Sequence, residues 1–117
     1  MAGTIKSLGP VALTTVYTTN IMQGGGFTLA AGSALLYDVV RHIHVANKLA
    51  NDTFRLYLGA TGANAAGTEL FFDFPVTAKL TYDYYCAKKM VSTEFLVGGA
   101  ATTLTLVIVI EGETYAV

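Results

Sequence analysis

The sequence predicts a single all-β domain, an antiparallel β-sandwich of jelly-roll type with little or no helix. Seven or eight short segments rich in β-branched and aromatic residues recur at intervals of roughly 8–12 residues, which is typical of sandwiches. Turn-forming residues separate these segments, and no sustained helical periodicity occurs. The 117 residues fit one domain. We assign residues 1–10 to an N-terminal arm or edge strand and residues 11–117 to the sandwich.

The first quarter of the chain is the least strongly patterned. Residues 1–10 end in Gly9-Pro10, which favours a short arm or an edge strand. Residues 11–22 are rich in β-branched residues and suit a pleated, half-buried surface. The glycine run at 24–26 indicates a turn, and residues 27–29 predict at most one more short strand.

Residues 35–58 predict a β-hairpin, and the rest of the fold is expected to form around it. Alternation in its first strand places two sets of side chains on opposite faces: Val39, Arg41, Ile43 and Val45 against Val40, His42, His44 and Ala46. The second strand places Phe54, Leu56 and Leu58 on one face. Residues 47–52 carry the Asn and Asp chemistry of a tight turn. The small-residue loop at 59–68 matches no phosphate-binding pattern.

The second half of the chain predicts three more strands. Residues 69–76 form an aromatic strand that ends near Pro75, as an edge strand would. Residues 80–87 alternate, and residues 88–96 predict a loop with at most one helical turn before a second loop at Gly98-Gly99. Residues 102–113 place Leu104, Leu106, Ile108 and Ile110 on one face, and apolar residues on both faces from Leu106 to Ile110 predict a central strand covered on both sides.

The composition favours an assembled protein. Charged residues make up 13% of the chain, whereas a soluble domain typically has about 25%, and hydrophobic residues make up 53%. Because obligate interfaces are richer in apolar area than free surfaces, we expect other subunits to cover part of this surface. The lone Cys86 excludes an intrachain disulfide and is expected to be a buried small hydrophobe.

Several partner classes are not expected. The net charge of −1 and the single basic pair Lys88-Lys89 give no basis for nucleic-acid binding. The longest apolar run covers residues 104–110, whereas a membrane-spanning helix needs about 20 residues. The start of the chain carries no long apolar segment typical of a secretory signal.

Candidate chemistry is sparse. His42 and His44 occupy one strand face at i, i+2, a spacing that allows two imidazoles on one metal, with a third ligand from Glu69, Asp73 or Asp83. The favoured interpretation is that both imidazoles form hydrogen bonds in a half-buried sheet or interface. The remaining carboxylates and serines form no catalytic constellation. We therefore expect neither an enzyme nor a cofactor.

An aromatic-rich segment in the middle of the chain has two interpretations. Its members are three tyrosines and three phenylalanines: Tyr82, Tyr84, Tyr85, Phe71, Phe72 and Phe74. Aromatic side chains pack well in cores and interfaces, where a tyrosine hydroxyl finds a polar partner. Exposed on a strand, the same rings could bind sugars. Core and interface packing is favoured.

Several segments resemble small virion proteins of tailed bacteriophages. They are RHIHVAN at 41–47, residues 54–70, DYY at 83–85, FLVGGA at 95–100, IVIEGE at 108–113 and the opening GTIKSLGPVALTT. The resemblance implies a capsid decoration (cement) protein that is present in many copies and binds itself and the major capsid protein. It would be located in the virion and assembled in the host cytoplasm. It implies no catalytic residues and no small-molecule substrate.

Alternatives within this resemblance stay open. The chain could be a tail or head–tail connector subunit, or a carbohydrate-binding module for host attachment. For a particle subunit, the expected contact elements are the arm, the small-residue loop, Tyr84 and Tyr85, and the Gly98-Gly99 loop. The expected interface residues are Thr4, Ile5, Leu8, Gly59, Thr61, Asn64, Gly67, Tyr84, Tyr85, Gly98 and Gly99.

Overall fold

The computed structural model describes residues 3–27, 36–59 and 67–116. These residues form eight strands and no helix. The strands are β1 Thr4–Ala12, β2 Asn20–Gln23, β3 Leu36–Asn47, β4 Asp52–Gly59, β5 Glu69–Val76, β6 Thr81–Val91, β7 Phe95–Ala100 and β8 Leu106–Ala116. The described residues contain no helix long and apolar enough to cross a membrane.

The strands form two four-stranded antiparallel sheets that pack face to face. Sheet 1 has the order β1-β8-β3-β6, and sheet 2 has the order β2-β7-β4-β5. The first strand therefore pairs with the eighth, the second with the seventh, the third with the sixth and the fourth with the fifth. A long antiparallel ribbon rolled into two layers gives this pattern, which is the jelly roll. The predicted all-β sandwich is confirmed.

The predicted hairpin at 35–58 is wrong in its pairing, although its turn is present. β3 belongs to sheet 1 and β4 to sheet 2, so the turn between them crosses from one layer to the other. The side-chain nitrogen of Asn47, Nδ2, donates to the backbone carbonyls of Ala50 and Val76, at 2.7 and 2.9 Å. Its side-chain oxygen accepts from the Leu49 amide at 3.0 Å. Local turn chemistry specified the corner but not which strands would pair.

The predicted faces of β3 are wrong in its first half. Val40 and Ile43 are both buried, although strict alternation would place them on opposite faces. The register shifts between Val40 and His42, where β3 carries one residue more than β8. This bulge leaves both Arg41 and His42 on the outer side, since the extra residue reverses the alternation. His42 and His44 share one face, as predicted, and that face is the outer one.

The core lies between the sheets and is closed on one side by aromatic rings. Buried side chains from both sheets include Phe54, Leu56, Ile43, Ile108 and Ile110. Along the β5–β6 side, five rings pack at centroid distances of 4.4 to 5.9 Å: Phe54, Phe71, Phe74, Tyr82 and Tyr84. Because β5 and β6 are edge strands in different sheets, this cluster seals the gap between the layers.

The predicted loop at Gly98-Gly99 is wrong, because both glycines are buried within β7. An added Cβ would lie 2.2 Å from the Arg55 carbonyl oxygen at Gly98 and 2.5 Å from the Thr14 carbonyl oxygen at Gly99. The glycines therefore permit close backbone approach in a central strand. The preceding residues up to Val91 extend β6, so the connection to β7 is only residues 92–94.

The two ends of the chain pair with each other as neighbouring strands. β8 lies between β1 and β3, as predicted for a central strand, but it begins at Leu106 rather than at residue 102. Leu104 lies in the preceding loop with φ of 64° and is exposed, so the prediction that it shares a strand face with Leu106 and Ile108 is wrong. β1 is an edge strand that continues to Ala12, so the boundary predicted after residue 10 falls inside it. Residues 28–29 of the predicted short strand lie outside the described residues, and Phe27 is in a turn.

Candidate functional site

Two histidines and a carboxylate converge on the outer face of sheet 1. Register places His44 opposite Asp83 on β6 and His42 opposite Glu111 on β8. His42 Nε2 lies 2.7 Å and His44 Nδ1 lies 2.6 Å from the same oxygen, Asp83 Oδ1. One ligand atom from each of the three residues falls within 4.8 Å of the other two. We refer to His42, His44 and Asp83 as the His–Asp cluster.

The second nitrogen of His42 also meets a carboxylate. His42 Nδ1 lies 2.9 Å from Glu111 Oε1, so the ring bridges β6 and β8. Partial burial by itself lowers the pKa of His42, but the hydrogen bonds to Glu111 and Asp83 outweigh burial and raise it. Hydrogen bonds from His44 and His42 lower the pKa of Asp83. This arrangement favours a charged imidazolium between two carboxylates.

Tyr85 covers the open side of the His42 ring. The two rings are stacked, with centroids 4.4 Å apart and planes 3° from parallel. Tyr85 is 73% exposed, so the stack limits rotation of His42 but leaves the tyrosine ring open to solvent. The predicted alternation of residues 80–87 implies that Tyr85 lies on the face opposite Tyr84 and Cys86, and the structure confirms it.

The polar surface continues toward the other end of the same face. Arg41 Nε donates to Glu113 Oε1 at 2.8 Å, and the Tyr115 hydroxyl donates to Glu113 Oε2 at 2.7 Å. Tyr115 stacks on Tyr37 at 5.3 Å. The outer face of sheet 1 is therefore an extended network of charged and aromatic side chains rather than a smooth apolar surface.

The sequence left three candidates for the third ligand beside the histidines, namely Glu69, Asp73 and Asp83. Of these three, only Asp83 lies within hydrogen-bonding distance of both rings. Asp73 lies on β5 in sheet 2 and pairs with Arg55 at 2.6 Å. Glu69 is also on β5 and accepts from the Gly67 amide. The i, i+2 histidine spacing pointed to the site, but the pairing of β3 with β6 decided its third member.

Comparison of the chain with protein-family models, with curated proteins and with solved structures finds no match in any of the three.

The expected interface residues fall into three groups in the structure. Thr4, Ile5, Gly67 and Tyr85 are exposed, while Leu8 and Gly59 are half-buried. Tyr84, Gly98 and Gly99 are turned into the molecule: Tyr84 packs on Phe71, and the glycines are buried. Thr61 and Asn64 lie outside the described residues. Ile5 is the most exposed of the large apolar side chains on the described surface, at 86%.

One end of the sandwich carries an exposed apolar side chain in each of its four connections. The connections are residues 13–19, 48–51, 77–80 and 101–105, and they join β1–β2, β3–β4, β5–β6 and β7–β8. Their exposed side chains are Val16, Leu49, Leu80 and Leu104, each between 52% and 56% exposed. We call this surface the apolar end.

Backbone hydrogen bonds hold these connections together. The Leu104 amide donates to the Leu13 carbonyl, and the Lys48 amide donates to the Thr105 carbonyl. Sequence analysis missed this surface because each residue was assigned either to a strand face or to a polar turn.

A cavity of about 390 Å³ opens at the same end. It is lined by residues 51–53, 75–77 and 101–102. The Asp52 carboxylate at this cavity accepts hydrogen bonds from the amides of Thr53 and Thr102, at 2.8 and 3.2 Å. Through these bonds Asp52 fixes the start of β4 to the 101–105 connection.

The remaining candidate nucleophile is Cys86. It is half-buried, packs against the core and donates to the Val40 carbonyl with Sγ 3.3 Å from the oxygen. Burial raises the pKa of its thiol. A raised pKa disfavours the reactive thiolate, so this environment suits a packing role.

Proposed function

We propose that this chain is a structural subunit of a bacteriophage particle, most simply a capsid decoration (cement) protein. It would stabilise the head through contacts with copies of itself and with the major capsid protein. Jelly-roll sandwiches occur in viral capsid domains, and several segments of the sequence resemble small virion proteins. The proposed role is adhesive, since many copies each add a modest contact.

The apolar end is the observation that carries this proposal. Four loops that are distant in sequence each present one large aliphatic side chain at the same end of the molecule. Single exposed apolar residues are ordinary, but a group of them at one end indicates a contact surface. Leu104 holds a positive φ of 64° in its loop, an uncommon conformation for a non-glycine residue.

The β1 edge of sheet 1, which pairs with no further strand among the described residues, offers a second contact surface. β1 is an edge strand, and its Ile5 is 86% exposed. An unpaired strand edge presents backbone donors and acceptors to which a strand from a neighbouring molecule can add. In the proposed assembly the apolar end would contact the shell, and β1 would contact an adjacent copy.

A binding assay with capsids that lack the protein tests the proposal. We expect the wild-type protein to co-sediment with expanded capsids, and Leu49→Asp combined with Leu104→Asp to abolish co-sedimentation. Val91→Asp is the matched control, because Val91 is also exposed but lies at the opposite end of β6. If the wild-type protein fails to bind, or if the Val91 variant loses as much binding as the double variant, the proposal is wrong.

The tail or connector alternative predicts the same surfaces on a different part of the particle. An electron-microscopy map of the intact particle distinguishes the two, because density for this chain would lie on the head shell or at the tail. Density confined to the tail would replace the decoration role with a tail or connector role.

The carbohydrate-binding alternative is supported by one exposed ring. Tyr82 and Tyr84 pack inward against Phe71, so they do not form a sugar platform. Tyr85 is exposed beside His42 and Asp83, which could hydrogen-bond to hydroxyls. Reproducible glycan-array binding that is lost in Tyr85→Ala would favour this alternative over the adhesive role.

A further inference from the structure

We propose that His42 Nε2, His44 Nδ1 and an Asp83 carboxylate oxygen bind one divalent transition-metal ion, with Zn²⁺ as the best match. The site would connect β3 to the edge strand β6 on the outer face of sheet 1. This inference is independent of the phage-particle role, since it concerns a different surface from the apolar end.

The three donor atoms already point to one location. Two ring nitrogens approach the same Asp83 oxygen at 2.7 and 2.6 Å. Zinc bonds to nitrogen and oxygen are about 2.0–2.2 Å long, so in a tetrahedral site neighbouring donors lie roughly 3.3–3.5 Å apart. Each nitrogen would need to move away from the Asp83 oxygen by less than about 1 Å.

The surroundings of His42 match those of a metal ligand. Metal-binding imidazoles usually donate their second ring N–H to a carboxylate or carbonyl, which fixes the tautomer and the ring orientation. The His42 Nδ1 atom lies 2.9 Å from Glu111 Oε1, so this contact leaves Nε2 facing the cluster. Tyr85 stacked on the same ring restricts its rotation further. Both contacts come from strands other than β3.

The donor set selects the metal class. Two imidazoles and one carboxylate suit zinc and its neighbours in the first transition row, whereas magnesium and calcium prefer oxygen alone. Both histidines are half-buried and Asp83 is exposed, so solvent reaches the cluster and a water molecule could complete the coordination. With no other histidine in the sequence, imidazole-dependent metal binding has one location.

Titration of tag-free, EDTA-treated protein with ZnCl₂ tests this site. We expect one saturable equivalent by calorimetry and a rise in melting temperature, because a metal that binds only the folded state stabilises it. Cobalt(II) should give the visible absorption of a low-symmetry site. His44→Gln and Asp83→Asn should each remove saturable binding.

Two further variants separate a metal site from nonspecific charge effects. Glu111→Gln should weaken zinc binding about 10–100-fold, as expected when a carboxylate behind a ligand is lost. Asp73→Asn removes a comparable exposed carboxylate on sheet 2 and should leave zinc affinity unchanged. Circular dichroism confirms that each variant is folded. The proposal is overturned if the wild-type protein shows no saturable binding, or if folded His44→Gln binds zinc as tightly as the wild type.

Discussion

Asp38 and Asp83 both collect several polar partners, but one lies inside the sandwich and the other outside. The Asp38 carboxylate is fully buried and accepts from the amides of Gly26 and Phe27, at 2.9 to 3.1 Å, and from the Thr114 hydroxyl at 2.7 Å. Asp83 is exposed, and its partners are two imidazoles.

The difference between these carboxylates lies in the chemistry of their partners. Backbone amides and a hydroxyl do not titrate near neutral pH, so the bonds to Asp38 are a fixed part of the fold. Imidazoles gain and lose protons in the physiological range and also bind metals. We therefore expect the bonds of Asp38 to stabilise the fold under all ordinary conditions. The contribution of the His–Asp cluster to stability should instead depend on pH and on metal.

Asp38→Ala should have the largest effect of the substitutions considered. It leaves two amides and a hydroxyl without their acceptor in a buried position, and each unsatisfied group costs about 1–3 kcal/mol. We expect the free energy of unfolding in urea to fall by about 3–5 kcal/mol. Asp38→Asn, which keeps one acceptor oxygen, should lose less. A loss below about 1 kcal/mol would show that water replaces the carboxylate at little cost.

Thr114→Val should have the next largest effect. Valine keeps the shape of the buried side chain but removes the donor to Asp38, and hydrogen bonds to charged groups are worth about 1.5–3 kcal/mol. We expect a loss in that range by urea denaturation, and Thr114→Ser is the control that keeps the hydroxyl. Equal losses for the serine and valine variants would assign the effect to packing rather than to the hydrogen bond.

Sequence patterns predicted the strands better than their partners. The strand at 69–76 was predicted with the observed bounds, because its aromatic run and Pro75 are local signals. The predicted hairpin failed because a tight turn has the same chemistry whether it joins neighbours in one sheet or crosses between two. The choice depends on which distant strands compete for each edge, and β3 pairs with β6 and β8 instead of β4.

The candidate site was predictable only in part for the same reason. His42 and His44 share a face by simple alternation, whereas Asp83 joins them through pairing across 39 residues of sequence. The bulge at Arg41 could not be inferred from β3 alone, since it reflects a difference in length between β3 and β8. Gly98 and Gly99 were mistaken for a loop because close backbone packing and turn formation both favour glycine.

His42→Gln should produce a smaller, pH-dependent effect in metal-free buffer. The folded state raises the pKa of His42, so its stabilisation is fully present below the unfolded value of about 6.5 and is lost as pH rises through the folded value. The folded state lowers the pKa of Asp83, so the contribution of that carboxylate is present above about pH 3.9 and is lost as pH falls through its folded value.

The pKa shifts of His42 and Asp83 define the pH range in which the variant and the wild type should differ in stability. The variant should melt a few degrees below the wild type near about pH 5, and the gap should narrow toward about pH 8 as the imidazolium is lost. Thermal denaturation across this range in EDTA checks the trend. A gap that stays constant from acidic to basic pH would mean that His42 acts by packing against Tyr85 and not through its charge.

Asp73→Asn, on the outer face of sheet 2, should have the smallest effect and no pH trend. Arg55 Nε donates to Asp73 Oδ1 at 2.6 Å, and its guanidinium lies over the rings of Tyr17 and Phe72. The hydrogen bond with Arg55 lowers the pKa of Asp73, and the same bond raises the pKa of Arg55. Neither group therefore titrates between about pH 5 and 9.

Exposed ion pairs contribute little to stability, and the stacked rings would still hold Arg55 after the substitution. Thermal melts of Asp73→Asn should run parallel to those of the wild type from about pH 5 to 9, with a small constant offset. Asp83→Asn, measured in the same buffers, is the matched variant and should follow the pH trend of His42→Gln. If Asp73→Asn showed that trend as well, the pH dependence would arise from the net charge of the protein rather than from the histidines. The proposed difference between carboxylates with titratable partners and carboxylates with partners that do not titrate would then be wrong.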